Sequence, residues 1–414
     1  MSLMKKALYV FAAAVLAFVF WRVLGLGIAD HFARSDPERA LAWRSDHPEA
    51  LLQAALRHVA AKDWPAAKAD AERALKARPI DGRPLRVLAQ VAEQGGDPAH
   101  ALELYRQAAK LAPRDLPTRF WLLQHALERR DAKQAAAQLD AILRLQPNLL
   151  EPLQAQANLL AVTPESRGAL LNTLAAAPPW RMAFLDGLAK AAYPVEAIAP
   201  FFAALKHTPN TPMAEIDPWI ARLRAENRAV QAYLTWVNRI PDNQREALGN
   251  VFDGGFEIAQ EEQIGAFAWQ TPTVPGATAY WSATRGTVGE NSYVVEFEGR
   301  RTPFTHLSQA LVLPPGDWQL SWRAKGVRLD TQRGLVWQLR CDPSGAVLAE
   351  SAPIMGQFEW REQTLAFTVP PDCEGQQLVL RIPARIPAET MINGALWLDA
   401  VAINRHSRRG LPAE

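Results

Sequence analysis

Residues 101–113 read ALELYRQAAKLAP, and the same pattern stands 34 residues before and 34 residues after this stretch. Residues 67–79 read AKADAERALKARP, and residues 135–147 read AAAQLDAILRLQP. Each stretch begins with alanine, carries an apolar or aromatic residue four and seven positions later, and ends with proline. Positions with this spacing share one face of an α-helix, where a small residue lets a neighbouring helix approach closely. The sequence therefore predicts stacked helices with a period of 34 residues.

Short polar turns separate the two helices of each period, at residues 61–63, 95–97 and 129–131. A period of this length with alternating small and large residues and a closing proline resembles tetratricopeptide repeats. The resemblance implies helix pairs that stack into a superhelix with a groove for peptides or a partner protein. We expect clear repeats over residues 48–147 and divergent repeats over residues 148–245.

Several arginines of the predicted repeats would suit the acidic terminus of a partner protein, namely Arg78, Arg83, Arg86, Arg114 and Arg119. The same arginines also fit an ordinary solvated helix face, because charge runs on helices usually face water. As a whole, the array could instead be a spacer that holds the following domain away from its point of attachment.

An apolar segment at residues 7–29, broken by one arginine, is long enough to cross a bilayer, which takes roughly 20 residues. Lys5 and Lys6 precede it and should stay in the cytoplasm. We therefore predict a single-pass protein of an inner membrane, with its N-terminus cytoplasmic and its bulk in the periplasm. A cleaved signal peptide is the alternative, because residues 27–29 resemble a small-x-small cleavage site.

The composition limits the classes of function. The 45 Lys+Arg residues nearly balance the 43 Asp+Glu residues, which leaves no excess of positive charge for general nucleic-acid binding. The two cysteines, Cys341 and Cys373, are too few for a zinc module. In an oxidising compartment we expect these cysteines to form a disulfide. Two unpaired buried thiols are the alternative.

The composition and the periodicity both change near residue 250, after which Lys325 is the only lysine. Period-2 alternation between Pro/Gly turns then predicts at least seven short strands, at residues 292–297, 307–313, 318–324, 335–341, 364–369, 378–382 and 396–403. Such a pattern is typical of an antiparallel β-sandwich or jelly roll. The predicted boundaries are an anchor at 1–29, a linker at 30–45, helical repeats at 46–245, the sandwich at 250–405 and a tail at 406–414.

Three motifs of the sandwich resemble galactose-binding-like jelly rolls and carbohydrate-binding modules: FDGGFE at residues 252–257, PGDWQLS at 315–321 and LWLDAV at 396–401. A structural calcium ion often ties the first strand of such domains to the last. The resemblance implies Glu257 and Asp399 as its carboxylate ligands, with backbone carbonyls near Gly254. Two solvated carboxylates near a sheet edge are the alternative.

Alternation also separates the two faces of the predicted strands. Trp318, Trp322 and Trp337 fall on core positions. If the strands are neighbours, one polar face would hold Gln319, Arg323, Gln338, Arg340 and Arg381, which would suit an acidic saccharide. Trp281 and Trp269 lie outside the clean strands and are candidates for an aromatic platform. An ordinary solvated sheet surface, or one covered by the repeats, is the alternative.

The sequence contains no motif that predicts catalysis: no Gly-x-Ser-x-Gly elbow, no His-Glu-x-x-His pair and no phosphate-binding glycine loop. We therefore expect a non-enzymatic scaffold that requires no cofactor. Its repeats would bind a partner protein and its sandwich a glycan, an architecture similar to accessory proteins of exopolysaccharide biosynthesis or export. The first alternative is a structural envelope adaptor whose sandwich binds protein, and the second is a polysaccharide-modifying hydrolase.

Overall fold

The structure is a computed structural model that describes residues 3–205 and 212–406, with side chains described from residue 11 onward. It divides into two compact units, Met1–Trp180 and Arg181–Glu414. Most of the predicted tail, from residue 407, lies outside the described residues, as do the side chains of Lys5 and Lys6. An α-solenoid of tetratricopeptide-like helix pairs comes first in the chain, and an antiparallel β-sandwich follows.

The first helix, α1 (Leu3–Phe32), contains a stretch from Phe11 to Phe32 that is long and apolar enough to cross a membrane, with a mean hydropathy of 2.1. Its C-terminal end packs onto α2 (Pro37–Trp43), where Ala33 and Ala40 are buried. Residues 30–45 therefore do not form the linker that the sequence predicts. They are the end of one helix, a turn and a second packed helix.

Helix pairs with the predicted period fill the rest of the first unit. Their bounds are α3 (Pro48–Ala60), α4 (Trp64–Ala77), α5 (Arg83–Gln94), α6 (Pro98–Leu111), α7 (Leu116–Glu128), α8 (Ala132–Leu145), α9 (Leu150–Val162) and α10 (Pro164–Ala175). The recurrent alanines Ala67, Ala101 and Ala135 are all buried, which confirms the close helix approach that the pattern predicts.

The polar turns of the repeats end one helix and begin the next. Asp63, Asp97 and Asp131 each accept a hydrogen bond from the backbone N–H three residues later, which caps α4, α6 and α8. Lys62 and Gly96 precede the first two of these caps with φ angles of 60° and 79°, the left-handed conformation that closes a helix. The predicted turns are therefore confirmed.

Within the residues that the structure describes, the second unit begins with four α-helices: α11 (Arg181–Lys190), α12 (Val195–Leu205), α13 (Asp217–Ala225) and α14 (Ala229–Val237). The sequence places these helices with the repeats, but in the structure they belong to the compact unit of the sandwich. Arg224 of α13 forms a 2.7 Å ion pair with Asp342, and the N–H of Val230 donates to Glu374.

In the described range 212–406, nine strands form the sandwich: β1 (Ala277–Ala283), β2 (Asn291–Arg301), β3 (Thr305–Leu311), β4 (Gly316–Thr331), β5 (Val336–Asp342), β6 (Val347–Glu350), β7 (Gly356–Val369), β8 (Gly375–Arg381) and β9 (Met391–Arg405). The five-stranded sheet has the order β1-β2-β9-β4-β7, and the four-stranded sheet the order β3-β8-β5-β6. The predicted core tryptophans Trp318, Trp322 and Trp337 are buried between the sheets, as expected.

Candidate functional site

A row of side chains crosses the outer face of the five-stranded sheet, the face directed away from the core. Tyr280 on β1 lies opposite Val294 on β2. Val294 lies opposite Trp397 on β9, and Trp397 lies opposite Lys325 on β4. Neighbouring strands lie about 4.8 Å apart, so the row spans about 14 Å. Because Leu396 and Leu398 are buried in the core, Trp397 points outward and remains partly exposed. The row therefore presents two aromatic rings and an ammonium group.

Polar groups surround this aromatic row. The hydroxyl of Tyr280 donates to the Glu296 carboxylate at 2.9 Å, and this hydrogen bond raises the pKa of Tyr280. Lys325 forms a 3.0 Å ion pair with Glu359, whose side chain is 80% exposed. The ammonium group of the row is thus paired with a carboxylate.

Trp360 of β7 adds a third aromatic ring to the outer face. The guanidinium carbon of Arg323 lies 5.4 Å from the centre of that ring, a cation–π geometry. The indole N–H of Trp360 donates to the carbonyl of Arg285 at 3.1 Å. Arg285 belongs to the 284–290 loop, the connection between β1 and β2, so this loop reaches Trp360 on the edge strand of the sheet.

Two carboxylates hold the 284–290 loop in place. Glu257 accepts from the N–H groups of Glu290 and Asn291 at 2.8 and 3.1 Å. Asp399 is fully buried and accepts from the N–H of Val288 at 2.6 Å. Burial raises the pKa of Asp399. The loop therefore closes one end of the outer face and buries Asp399 beneath it.

The structure assigns Glu257 and Asp399 contacts that compete with the expected calcium ion. Both carboxylates already accept backbone N–H groups, whose partial positive charge is directed at the oxygens that would bind a cation. The nearby Asp253 accepts the N–H groups of Glu257 and Ile258, and burial raises its pKa to about 6. Among the described residues, no group of three or more His, Cys, Asp or Glu side chains could hold a metal. The residues present do not fit calcium in this arrangement.

Removal of calcium is expected to leave the stability of the protein unchanged. We expect the midpoint of thermal unfolding to differ by less than about 1 °C between protein in EGTA and protein in millimolar calcium, because peptide N–H groups already satisfy both carboxylates. Differential scanning calorimetry provides the measurement, and magnesium is the control cation. A thermal unfolding midpoint that is several degrees higher in calcium, but not in magnesium, would show that Glu257 and Asp399 bind calcium.

The predicted single polar face is wrong, because its residues belong to two different sheets. Gln319 and Arg323 lie on β4 of the five-stranded sheet. Gln338, Arg340 and Arg381 lie on β5 and β8 of the four-stranded sheet. Only the first two residues therefore share the outer face that carries Trp397.

The other three predicted residues form a hydrogen-bonded network on the four-stranded sheet. Arg381 donates to the side-chain Oε1 of Gln338 at 3.3 Å. The side-chain Nε2 of Gln338 donates to the Glu350 carboxylate at 2.7 Å. Arg340 donates to Gln377 at 3.3 Å. Gln338 is only 4% exposed. These contacts connect neighbouring strands and involve no exposed aromatic ring.

The two predicted platform tryptophans lie on the inner side of the sheet. Trp269 is buried and donates to the carbonyl of Asp253, and Trp281 packs edge-on against Phe256 and Tyr293. Neither ring can therefore stack on a ligand at the outer face. Trp397 is not among the predicted platform residues, although its position between Leu396 and Leu398 in an alternating strand was a usable signal.

The predicted disulfide and a buried histidine also lie in the sandwich. Cys341 and Cys373 form a disulfide with Cα atoms 5.6 Å apart, which joins the end of β5 to the segment before β8. His306 is buried against the Tyr293 hydroxyl at 2.9 Å, and burial lowers its pKa to about 4. The imidazole is therefore neutral at pH 7 and lies away from the outer face.

Comparisons with known proteins give distant structural likenesses. No protein-family model matches the sequence, and no curated protein matches it. A structure described as "CBM4 structure and function" has 13% identity and a TM-score of 0.28, with 39% of this chain and 99% of that chain covered. Pseudomonas aeruginosa PilF has 14% identity and a TM-score of 0.26, with coverages of 46% and 89%. The enzymatically active domain of bacteriophage CBA120 tailspike protein 4 has 15% identity and a TM-score of 0.26, with 38% of this chain and only 21% of that chain covered.

Proposed function

We propose that this protein is a non-enzymatic, membrane-anchored scaffold. Its sandwich binds a polysaccharide on the outer face of the five-stranded sheet, and its repeats bind a partner protein. The row of Tyr280, Trp397 and Lys325 is the observation that carries the proposal. Aromatic rings provide apolar faces for sugar rings, and the flanking carboxylates, hydroxyl and ammonium provide hydrogen bonds.

The charge balance of the outer face favours a neutral polysaccharide. Lys325 is paired with Glu359, and Arg323 stands opposite Glu362 in the strand register. The acidic saccharide expected from the sequence depended on three arginines on one face, and the sheet topology separates them. We therefore propose a neutral polysaccharide as the ligand of the outer face.

The proposed location is the periplasmic side of an inner membrane, with a role in the biosynthesis or export of surface polysaccharide. Helix α1 supports membrane attachment by its length and composition. Lys5 and Lys6 before it favour a cytoplasmic N-terminus. The disulfide between Cys341 and Cys373 supports an oxidising compartment for the sandwich.

The glycan proposal predicts that Trp397→Ala weakens polysaccharide binding at least tenfold. Truncating an aromatic residue at the centre of a binding surface typically costs more than about 1–2 kcal/mol. The measurement is affinity electrophoresis of the full chain in detergent, through gels that contain dextran, galactomannan, xyloglucan or alginate. We expect retardation by at least one neutral polysaccharide and its loss in the variant.

Arg340→Ala is the matched control, because Arg340 lies on the other sheet. We expect this variant to be retarded like the unmodified protein. Loss of retardation in Arg340→Ala but not in Trp397→Ala would move the site to the four-stranded sheet. Retardation by alginate alone would contradict the neutral ligand. No retardation in any gel would favour the alternative of an envelope adaptor whose sandwich binds protein.

A further inference from the structure

A groove in the first unit lies between α6 and α8, the second helices of two consecutive repeats. It has a volume of about 890 Å³. Buried Leu122 and Ala126 of α7 contribute to its floor, and Ala109 and Leu102 of α6 to one wall. The groove is therefore apolar at its base.

The rims of the groove carry positive charges without carboxylate partners. Arg106 and Lys110 on α6 and Arg129 after α7 are exposed and line the groove. Among the residues that the structure describes, none of these three has an acidic side chain within ion-pair distance. Arg119 also lines the groove and donates to Gln138 and to backbone carbonyls instead of to a carboxylate.

Two arginines of the same unit that lie outside the groove are paired with acids. Arg83 forms ion pairs with Glu49 and Asp81 at 2.8 and 2.7 Å, and Arg86 pairs with Asp115 at 2.8 Å. These pairs use two of the arginines that the sequence analysis assigned to an acidic partner. Of the arginines in that set, Arg119 lines the groove between α6 and α8.

The two carboxylates that line the groove already accept hydrogen bonds from neighbouring groups of the repeats. Asp131 caps α8 by accepting from the N–H of Gln134, and Glu103 accepts from the side chain of Gln107. In the part of the chain that the structure describes, neither carboxylate forms an ion pair with a groove cation. The groove therefore keeps an excess of positive charge.

The shape and chemistry of the groove fit a helix. α6 and α8 have 14 residues each, which corresponds to about 21 Å of length on either side. A helix laid between them would place one apolar face on Leu122 and Ala126 and its flanks beside Arg106 and Lys110. Helix-in-groove recognition uses such an arrangement, with apolar anchors at positions i, i+3, i+4 and i+7.

We propose that the groove between α6 and α8 binds an acidic amphipathic helix of a partner protein. This inference rests on the proposed protein-binding role of the repeats and names the class of partner. It does not depend on the glycan site. Apolar contacts at the floor hold the helix, and the four rim cations select glutamate and aspartate on its flanks.

The test uses a designed peptide as the probe and the full chain in detergent. The probe is a fluorescein-labelled 16-residue peptide (about 24 Å as a helix) with leucines along one helical face and glutamates elsewhere. Fluorescence anisotropy measures its binding. We expect the unmodified protein to bind this peptide and the Arg106→Glu, Lys110→Glu double variant to bind at least tenfold more weakly.

Three controls separate the proposal from simple charge attraction. The Lys76→Glu, Lys133→Glu double variant has the same change in net charge, but neither residue lines the groove. We expect this variant to bind the peptide within about twofold of the unmodified protein. A peptide of the same composition with its leucines scattered around the helix should bind at least tenfold more weakly, as should one with lysines for glutamates. Equal binding of the scattered peptide, or equal weakening by both double variants, would overturn the proposal.

The outcome also separates this inference from the proposed function. If no peptide binds but a partner still co-purifies with the full chain, the groove assignment fails and the scaffold role remains. If the peptide binds while the polysaccharide gels show no retardation, the groove stands and the glycan site fails. Circular dichroism of each variant confirms that the helices are intact.

Discussion

Replacing Gly254 by alanine is expected to lower the free energy of unfolding of the second unit by about 2–3 kcal/mol. A Cβ atom at Gly254 would lie 1.9 Å from the carbonyl oxygen of Val401 on β9. The two residues are held together by a 2.8 Å hydrogen bond from the N–H of Val401 to the carbonyl of Gly254. The added methyl group meets backbone, which cannot rotate away, so the opening segment must separate from the closing strand.

The neighbouring glycine provides the control for this prediction. A Cβ atom at Gly255 would lie no closer than 3.6 Å to another atom, the Cγ of Glu257, which is an ordinary contact. Gly255→Ala should therefore change the unfolding free energy by less than about 0.5 kcal/mol. Urea unfolding followed by tryptophan fluorescence gives both values. Equal effects of the two substitutions would contradict the close approach of Gly254 to Val401.

Removing the disulfide is expected to cost about 3–4 kcal/mol of unfolding free energy. Cys341 and Cys373 are 32 residues apart in sequence, and the crosslink restricts this loop in the unfolded chain. The variant is Cys341→Ala with Cys373→Ala, measured by urea unfolding under oxidising conditions. The denaturation midpoint should fall, because the crosslink no longer limits the unfolded state.

Reduction of the unmodified protein tests the same effect without mutation. Dithiothreitol should lower the denaturation midpoint of the unmodified protein to that of the double-alanine variant and leave the variant unchanged. If the oxidised protein and the variant unfold at the same urea concentration, the crosslink does not stabilise the sandwich.

Local sequence signals predicted the helical array and the strand faces well. The capping aspartates and recurrent alanines of the repeats act within one or two turns of helix, so their spacing is visible in the sequence. The alternation of Trp318, Leu320 and Trp322 likewise reports which side of one strand is buried. Such signals require no knowledge of distant partners.

The candidate site depends on pairings between distant residues, and the sequence does not display them. Alternation gave the outward direction of Arg323 and of Arg340 correctly, but it carries no information on which strands are neighbours. A bulge in β7 near Trp360 shifts the register between Ala324 and Gly326, and simple alternation fails there. The resemblance to galactose-binding-like domains predicted that Glu257 and Asp399 lie in one region. In the structure both carboxylates accept N–H groups of the 284–290 loop.

The packed end of α1 has a consequence for how the repeats would meet their partners. His47 at the start of α3 forms a 2.7 Å hydrogen bond with Asp30 of α1, and the rings of Trp21 and Trp43 lie 5.4 Å apart. These contacts join the end of α1 to α2 and α3 without a flexible linker. With α1 inserted in a bilayer as proposed, the first repeats are therefore held close to the membrane. The first repeats then meet other proteins of the same membrane by diffusion in two dimensions. This raises the effective concentration of such partners at the repeats.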